Sequence, residues 1–305
     1  MKHYFVLGMI FLLLLFTRIG QAQERLDLSA QIPIVAWYGI RANEATVERF
    51  KELKEAGFTI NFSEYSSLEE VEKALDAAHK VGVQLIIACP ELRKEPEKTV
   101  RKFMEHPAVA GYFLRDEPVV ADFAALGDWA KRIQAVDNRK FCYLNLFPTG
   151  GEEHLRFLGV QNYRDYITRF NKEVPLPFLS FDHYPVLGDN VLKAEWYENL
   201  EDFSDEARKI GKDFWAFALA TKHGPYPVPT RASLRLQLYS NLVYGAQGLQ
   251  YFTYWTPAGD SFYDYQHGPI GLDGKRTEVY DLVKDMNAEI RSIAGIFLGA
   301  KVLSV

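Results

Sequence analysis

Cysteine is nearly absent from this chain: only Cys89 and Cys142 occur among 305 residues. We expect them near opposite ends of different strands, too far apart to form a disulfide. The net charge is −5 and no long basic run occurs, so nucleic acid is not an expected partner. His-Glu-x-x-His and clustered Cys/His spacings are missing, as is a Gly-x-Ser-x-Gly elbow. The sequence therefore predicts neither a metal nor another cofactor, and it argues against a serine esterase.

The first 22 residues are typical of a secretory signal peptide. Lys2 and His3 precede an apolar run that is short for a membrane span, and the small residues of Gly20-Gln21-Ala22 follow. A retained membrane anchor is the alternative. We expect an exported protein, periplasmic or extracellular, that leaves the membrane after cleavage. The predicted organisation is a signal peptide at 1–22, one domain at 23–293, and an apolar C-terminal extension at 294–305. That extension is interpreted as an extra strand or as the start of a further, truncated domain.

Short apolar runs alternate with amphipathic stretches, the pattern of βα units around a parallel sheet. Eight strands and eight helices in strict alternation predict a (β/α)8 barrel, and the Gly-rich loop of an open dinucleotide-binding sheet is missing. The predicted strands are Ile34–Tyr38, Thr59–Phe62, Gln84–Ala88, Ala110–Leu114, Cys142–Leu146, Phe178–Phe181, Phe214–Ala218 and Leu249–Thr253. The predicted helices are Ala45–Ala56, Leu68–Val81, Thr99–Glu105, Ala121–Val136, Asn162–Asn171, Ala194–Ile210, Arg231–Gly245 and Glu278–Ile293.

Active sites of such barrels lie at the carboxyl ends of the strands. The residues that follow the predicted strands combine carboxylates, polar groups and aromatic rings, a mixture that suits a carbohydrate with polar rims and apolar ring faces. The candidate substrate-binding residues at these ends are Trp37, Tyr38, Glu64, Asn145, His183, Tyr184, His223, Tyr254 and Trp255.

The tetrapeptide Arg115-Asp116-Glu117-Pro118 places two adjacent carboxylates where a buried strand becomes a loop. Like charges that are close together raise one pKa, so that one acid can stay protonated near neutral pH and donate its proton. This favours acid chemistry on a bound substrate, most naturally hydrolysis of a glycosidic bond. The alternative is that Asp116 pairs with Arg115 or caps the following helix, and Glu117 acts alone.

The chain resembles the retaining glycoside hydrolases of clan A in three segments. They are Gly111-Tyr-Phe-Leu-Arg-Asp-Glu-Pro118, Tyr244-Gly-Ala-Gln-Gly-Leu-Gln-Tyr-Phe-Thr-Tyr-Trp255 and Gly268-Pro-Ile-Gly-Leu-Asp-Gly-Lys275. The last is similar to family 42-like β-galactosidases and to related exported proteins of gut Bacteroidetes. The resemblance implies a carbohydrate substrate, Glu117 as the general acid/base, and Trp255 as the platform under the sugar that is cleaved.

One departure from that family pattern matters. Clan A enzymes carry a nucleophilic Glu at the end of strand seven, but no acidic residue lies between Asp213 and Asp260. In one interpretation, Asp182 or Glu64 supplies the second acid, and the carboxyl separation decides between retention at roughly 5 Å and inversion at roughly 6.5–9.5 Å. In another, Asp116 orients the substrate's own acetamido group as the nucleophile. In the third, the barrel binds glycans without cleaving them.

Overall fold

Eight parallel strands form the barrel in a computed structural model that describes residues 31–259 and 263–304. Strands and helices alternate along the chain, which confirms the predicted (β/α)8 fold. The strands are β1 (Ile34–Trp37), β2 (Ile60–Phe62), β3 (Gln84–Ile87), β4 (Val109–Asp116), β5 (Phe141–Asn145), β6 (Phe178–Phe181), β7 (Asp213–Leu219) and β8 (Gly248–Phe252).

The strands pair in parallel in the order β5-β4-β3-β2-β1-β8-β7-β6. The remaining gap, between β5 and β6, is bridged in parallel by Leu146 and Phe181, and the Leu146 N–H donates to the Ser180 carbonyl over 2.8 Å. The register of β4 shifts against β5 between Phe113 and Arg115, which marks a β-bulge just before the end of β4. All eight carboxyl ends therefore meet at one rim of the barrel.

Ten α-helices occur in the described ranges, two more than the sequence predicts. The additional ones are the short helices α3 and α6. The helices are α1 (Val47–Glu55), α2 (Leu68–His79), α3 (Pro90–Lys94), α4 (Pro96–Phe103), α5 (Phe123–Gln134), α6 (Glu152–Leu158), α7 (Tyr163–Glu173), α8 (Glu195–Ile210), α9 (Arg231–Val243) and α10 (Glu278–Phe297).

Local sequence signals account for where several helices begin and end. The Ser67 hydroxyl accepts from the Glu70 N–H at the start of α2, as predicted, while the Glu70 carboxylate turns back to the N–H of Ser66. Helix α1 ends before Gly57, whose φ of +95° is a left-handed conformation that glycine adopts without strain.

Two apolar layers stabilise the barrel. The larger layer lies between the strands and the helices, and the smaller one fills the barrel interior with aromatic rings. Phe178 stacks on Trp215 at 4.1 Å, and Trp37 lies 4.1 Å from Phe62. Gly248 allows this packing, because a Cβ there would come within 2.5 Å of the Trp215 ring. The interior below the rim is therefore a packed core and not a channel.

The predicted end segments are described only in part. The signal peptide assigned to 1–22 lies outside the described residues. Helix α10 continues to Phe297, so the extension assigned to 294–305 begins within this helix, and 298–304 contain no strand. No helix among the described residues is both long enough and apolar enough to cross a membrane.

Candidate active site

The carboxyl groups of Asp116, Glu117 and Asp182 meet at the barrel rim. Asp116 ends β4, Glu117 follows it, and Asp182 follows β6. The Asn145 side chain at the end of β5 lies between Asp116 and Asp182 and bonds to both. The Asn145 Nδ2 atom donates to Asp182 Oδ1 over 2.7 Å and to Asp116 Oδ1 over 3.3 Å. Asp116 is paired with Asn145 across the β4–β5 register, so backbone pairing itself brings these side chains together.

Adjacent residues of a strand normally point to opposite sides, yet Asp116 and Glu117 both reach this cluster. The bulge after Phe113 accounts for Asp116. Phe113 packs against the barrel interior, and the extra residue moves Arg115 away from the rim and turns Asp116 towards it. Arg115 pairs instead with Asp122 over 3.3 Å, so the alternative Asp116–Arg115 ion pair is not formed.

Backbone conformation accounts for Glu117. Its φ of +47° lies in the left-handed region, which is unfavourable for a residue with a Cβ. This turn directs the Glu117 side chain to Asp182, which lies close enough to raise the pKa of the Glu117 carboxyl. The Glu117 N–H donates to the Asn145 carbonyl over 2.9 Å, which holds the turn against β5.

Burial raises the pKa of each member of the cluster, and neighbouring acid charges add to the shift for Asp116 and Glu117. Burial, followed by the charges of Asp182 and Asp116, raises the pKa of Glu117 well above its usual range. Burial likewise raises the pKa of Asp182, against hydrogen bonds donated by Asn145 and Tyr184. Glu117, whose pKa is raised to about 9, is therefore protonated near neutral pH and can donate its proton.

Asp116 has a more open environment. Its side chain is exposed to solvent, although it lies within the concave rim with protein on most sides. Burial and the charge of Asp182 raise its pKa to about 7, while the bond from Asn145 lowers it. Solvent also reaches this carboxyl and screens the neighbouring charges. Asp116 therefore titrates below Glu117 and is the carboxylate that a ligand can reach.

The end of β7 carries no carboxylate, as the sequence indicates. Leu219 closes the strand, and Thr221 and His223 follow it. The Thr221 hydroxyl lies 2.8 Å from that of Thr253, which ties the β7 loop to the β8 loop. Tyr184, after β6, is buried beside this loop, and its hydroxyl donates to Asp182.

Two of the predicted substrate-binding residues lie open at the rim. The Tyr38 side chain is 45% exposed and packs edge-on against Trp37 and Phe252, with ring centroids 6.5 and 5.9 Å apart. Glu64 is also exposed, and its charge contributes to the raised pKa values of Tyr38 and Asp116. Tyr38 and Glu64 are therefore on the same side of the rim as Asp116.

Three of the predicted substrate-binding aromatic residues are covered by protein. Trp37 fills the barrel interior, and Tyr254 packs edge-on against Phe58 at 5.2 Å. The Trp255 ring lies between the guanidinium groups of Arg41 and Arg49, 4.6 and 5.1 Å from its centroid. All three are at most 3% exposed, which is at odds with an open platform, and their role in substrate binding stays a prediction.

The two predicted histidines are also buried. The His183 Nδ1 atom lies 2.9 Å from Asn199 Oδ1 on α8, and burial lowers the pKa of His183 to about 4. His183 is therefore neutral at pH 7 and anchors the β6 loop to α8. His223 is 6% exposed and contacts the rings of Tyr226 and Tyr265, 4.9 and 5.1 Å away.

Two groups of residues near the site are absent from the predicted site residues. Tyr226, Tyr263 and Tyr265 continue the ring cluster around His223 at the rim, and Tyr263 stacks on Tyr265 at 5.6 Å. The run of tyrosines after β8 is the signal for this cluster. The second group is polar and lies inside the barrel, where Ser180 and Gln250 connect to Asn145. Their alternation with apolar residues resembles an ordinary strand, so nothing in the sequence indicates that connection.

Other places on the molecule offer less chemistry. Within the described ranges, no group of three His, Cys, Asp or Glu side chains is arranged to hold a metal ion. A depression of about 580 Å³ lies beside α6 and α7, but it is open and distant from the carboxyl cluster. The rim is the part of the described molecule where titratable groups with perturbed pKa values converge on solvent.

No protein-family model matches the sequence, and no curated protein is detectably related to it. Solved structures match it at 11–13% identity, which establishes likeness of fold. A proposed α-L-fucosidase from Bacteroides thetaiotaomicron VPI-5482 is 13% identical over 86% of this chain and 91% of its own, with a TM-score of 0.58. A cold-adapted β-galactosidase from Rahnella sp. R3 is 11% identical over 89% of this chain, with a TM-score of 0.62.

A β-glucuronidase from Bacteroides uniformis is 11% identical over 83% of this chain, with a TM-score of 0.54. The present chain spans 57% of the Rahnella enzyme and 34% of the glucuronidase. The shared part is the (β/α)8 barrel. This chain is thus similar in fold to the barrels of several glycoside hydrolases, with its carboxyl cluster at the rim where barrel enzymes carry out catalysis.

Proposed function

We propose that the protein is an exported glycoside hydrolase that cleaves O-glycosidic bonds of an oligo- or polysaccharide, with Glu117 as general acid/base. One observation carries the proposal: Asp116, Glu117 and Asp182 converge at the solvent-facing rim, with raised pKa values. Burying three neighbouring acids costs folding free energy. Clusters of acids with perturbed pKa values are typical of functional sites. The likeness of fold to glycoside hydrolases supports the same reaction class.

The contact between Glu117 and Asp182 argues against this pair as the two separated carboxyls of an inverting glycosidase. The two side chains act directly on each other's protonation, which indicates a separation below the roughly 6.5–9.5 Å that an attacking water needs. The end of β7 provides no replacement. Asp116, by contrast, is solvent-exposed beside Glu117 and held by Asn145. These placements favour substrate assistance, with Asp182 as the reserve for the second acid.

The substrate class that fits is a glycoside with a 2-acetamido group. Glu117 donates its proton to the glycosidic oxygen as the C1–O bond breaks. The acetamido carbonyl oxygen attacks C1 and forms a cyclic oxazolinium, while Asp116 accepts a hydrogen bond from the acetamido N–H. Water then attacks C1 and gives its proton to Glu117, which opens the ring with net retention of configuration. This proton restores the acid form of Glu117, which burial and the charge of the neighbouring Asp182 favour.

Turnover of aryl glycosides tests the enzyme assignment. A panel of aryl hexosides and aryl N-acetylhexosaminides is assayed with wild type, with Glu117→Gln, and with Glu201→Gln as a matched control on the exposed face of α8. We expect Glu117→Gln to lose at least a hundredfold in kcat/KM, because general acid catalysis contributes about 10²–10⁴-fold. Equal activity of the two variants would remove Glu117 from the mechanism.

Fluorination of the acetamido group tests the mechanism. Successive replacement of its methyl hydrogens by fluorine makes the carbonyl oxygen less nucleophilic, so a substrate-assisted rate falls steeply along the series. A flat series, together with a covalent adduct on Asp182, would assign the nucleophile to that residue instead. Export is tested separately: we expect the mature N-terminus to begin near residue 23 in the secreted or periplasmic fraction.

The second candidate is a non-catalytic glycan-binding barrel, which the missing β7 carboxylate favours. This alternative predicts saccharide affinity without turnover of any glycoside, and binding that Glu117→Gln leaves intact. Tyr38 then supplies the binding surface in both cases, since its exposed ring at the rim can stack on an apolar sugar face. Turnover in the panel decides between the two candidates.

A further inference from the structure

A chain of buried hydrogen bonds runs through the barrel interior and ends on the carboxyl cluster. It begins at the Tyr143 hydroxyl on β5, which donates to Gln250 Oε1 on β8. Gln250 Nε2 donates to Ser180 Oγ on β6 over 2.8 Å, and the Ser180 hydroxyl donates to Asn145 Oδ1 over 2.9 Å. All four side chains are at most 2% exposed, so water cannot take the place of a missing partner.

The donors and acceptors in this network lead to one orientation of Asn145, although the Tyr143 hydroxyl also lies 3.2 Å from Ser180 Oγ. Asn145 presents its NH2 to Asp116 and Asp182, and an ionised carboxylate can only accept. Its Oδ1 then needs a donor, which is the Ser180 hydroxyl. Ser180 Oγ accepts from the Gln250 amide, and the Gln250 oxygen accepts from Tyr143. Turning the Asn145 amide around would place its oxygen against two acidic oxygens and would orphan the Ser180 hydroxyl, so the chain fixes one orientation.

We propose that Tyr143, Ser180 and Gln250 are positioning residues that hold the Asn145 amide with its NH2 towards Asp116 and Asp182, and so set how readily these two acids ionise. This proposal adds positioning residues to the proposed active site, and it rests on the proposed function only in that the two acids serve catalysis. None of the three residues touches the solvent-filled rim, so each acts through Asn145.

The same acids are surrounded by other charged and titratable groups, which set the background for any effect. Burial, then the charges of Asp182 and Glu64, raises the pKa of Asp116. Burial also raises the pKa of Asp182, while its interactions with Asn145, Tyr184 and Glu117 lower it. Asn145 is the neutral donor that faces both. If Asn145 loses this orientation, Asp116 and Asp182 each lose the hydrogen bond that its NH2 group donates. The titratable groups facing the two acids are Tyr38, Glu64, Glu117, Tyr143 and Tyr184.

Tyr143→Phe and Ser180→Ala test the proposal against the matched control Tyr251→Phe. Tyr251 is also fully buried and lies next to Gln250 on β8, but its hydroxyl donates over 2.8 Å to Asn287 on α10, outside the barrel. Each tyrosine variant loses one buried hydroxyl: Tyr251→Phe loses the bond to Asn287, and Tyr143→Phe loses the bond to Gln250 and the contact with Ser180. They differ in whether the lost bonds belong to the series that ends on Asn145, so a purely structural loss affects both alike.

The readout is the ionisation of the two acids, followed by NMR of the protein with carboxyl-labelled aspartate, with Asp116→Asn and Asp182→Asn used to assign the signals. We expect the midpoints to rise by on the order of one pH unit in Tyr143→Phe and Ser180→Ala and to stay in place in Tyr251→Phe. The acid limb of kcat/KM should move by the same amount. Unmoved midpoints in the first two variants, or equal shifts in all three, would overturn the proposal. The titration needs no substrate, so absence of glycosidase activity would reject the proposed function and leave this test intact.

Discussion

Replacing Glu117 should stabilise the protein while it abolishes turnover. The left-handed backbone at Glu117, with φ of +47°, costs a residue with a Cβ about 1–2 kcal/mol. Glycine avoids this cost but loses about 0.5–1 kcal/mol through its freer unfolded chain. Glu117→Gly should therefore be about 0.5–1 kcal/mol more stable than Glu117→Gln, which keeps the backbone cost and removes only the charge.

The charge of the Glu117 carboxyl makes the free energy of unfolding depend on pH. A carboxyl whose folded pKa is raised binds its proton more tightly in the folded than in the unfolded state. That stability is fully present below the unfolded pKa, near 4.5 for glutamate, and is lost as pH rises towards the raised folded value. The slope is at most about 1.4 kcal/mol per pH unit for one group. Glu117→Gln should therefore match wild type near pH 4.5 and exceed it in stability near pH 8.

Urea unfolding followed by tryptophan fluorescence at several pH values measures both effects. The control is Glu201→Gln, whose carboxyl is exposed on α8 and should leave the pH dependence unchanged. Parallel pH curves for wild type and Glu117→Gln would mean that the contact between Glu117 and Asp182 does not form in solution. Equal stability of the Gly and Gln variants at every pH would mean that the chain does not hold residue 117 in the left-handed region.

Three further variants probe the rim and the core. Asn145→Ala should cost about 1–3 kcal/mol in urea unfolding, since it leaves buried partners without a hydrogen bond; an unchanged unfolding midpoint would contradict the buried network. Tyr38→Ala should raise KM with little change in kcat or thermal stability, because the ring is 45% exposed; a fall in kcat alone would place Tyr38 in the chemistry. Gly248→Ala should lower stability by about 1–3 kcal/mol, as its Cβ would come within 2.5 Å of Trp215, and a normal melting temperature would show that the core yields.

The barrel could be predicted from the sequence because its signals are local and repeated. Each βα unit has an apolar run followed by an amphipathic stretch, and stops such as Gly57 and caps such as Ser67 mark the helix ends. The two short helices α3 and α6 were missed, since each has fewer than eight residues and little room for a periodic pattern. Their absence from the prediction did not affect the topology, because neither separates two strands on its own.

The sequence predicted which residues lie at the strand ends around the site, but not how each side chain is oriented or exposed. Position after a strand correctly brought Asp116, Glu117, Asn145 and Asp182 to one rim. Position after a strand did not predict which aromatic side chains are exposed to solvent, because exposure depends on how the loops pack over them. Trp255 follows β8 as expected, but two arginine side chains cover its faces.

The adjacent acids show most clearly what strand position leaves open. On an ideal strand, two neighbouring side chains point to opposite sides. An Asp-Glu pair would then direct one acid to the rim and the other away from it. Here a bulge re-aims Asp116 and a left-handed residue re-aims Glu117, at a cost of about 1–2 kcal/mol for the latter. A barrel without a carboxylate on β7 would gain nothing from this distortion if Glu117 worked alone, since a regular strand end could present a single acid without strain. The distortion therefore argues that both members of the pair are used, which is what substrate assistance requires of Asp116.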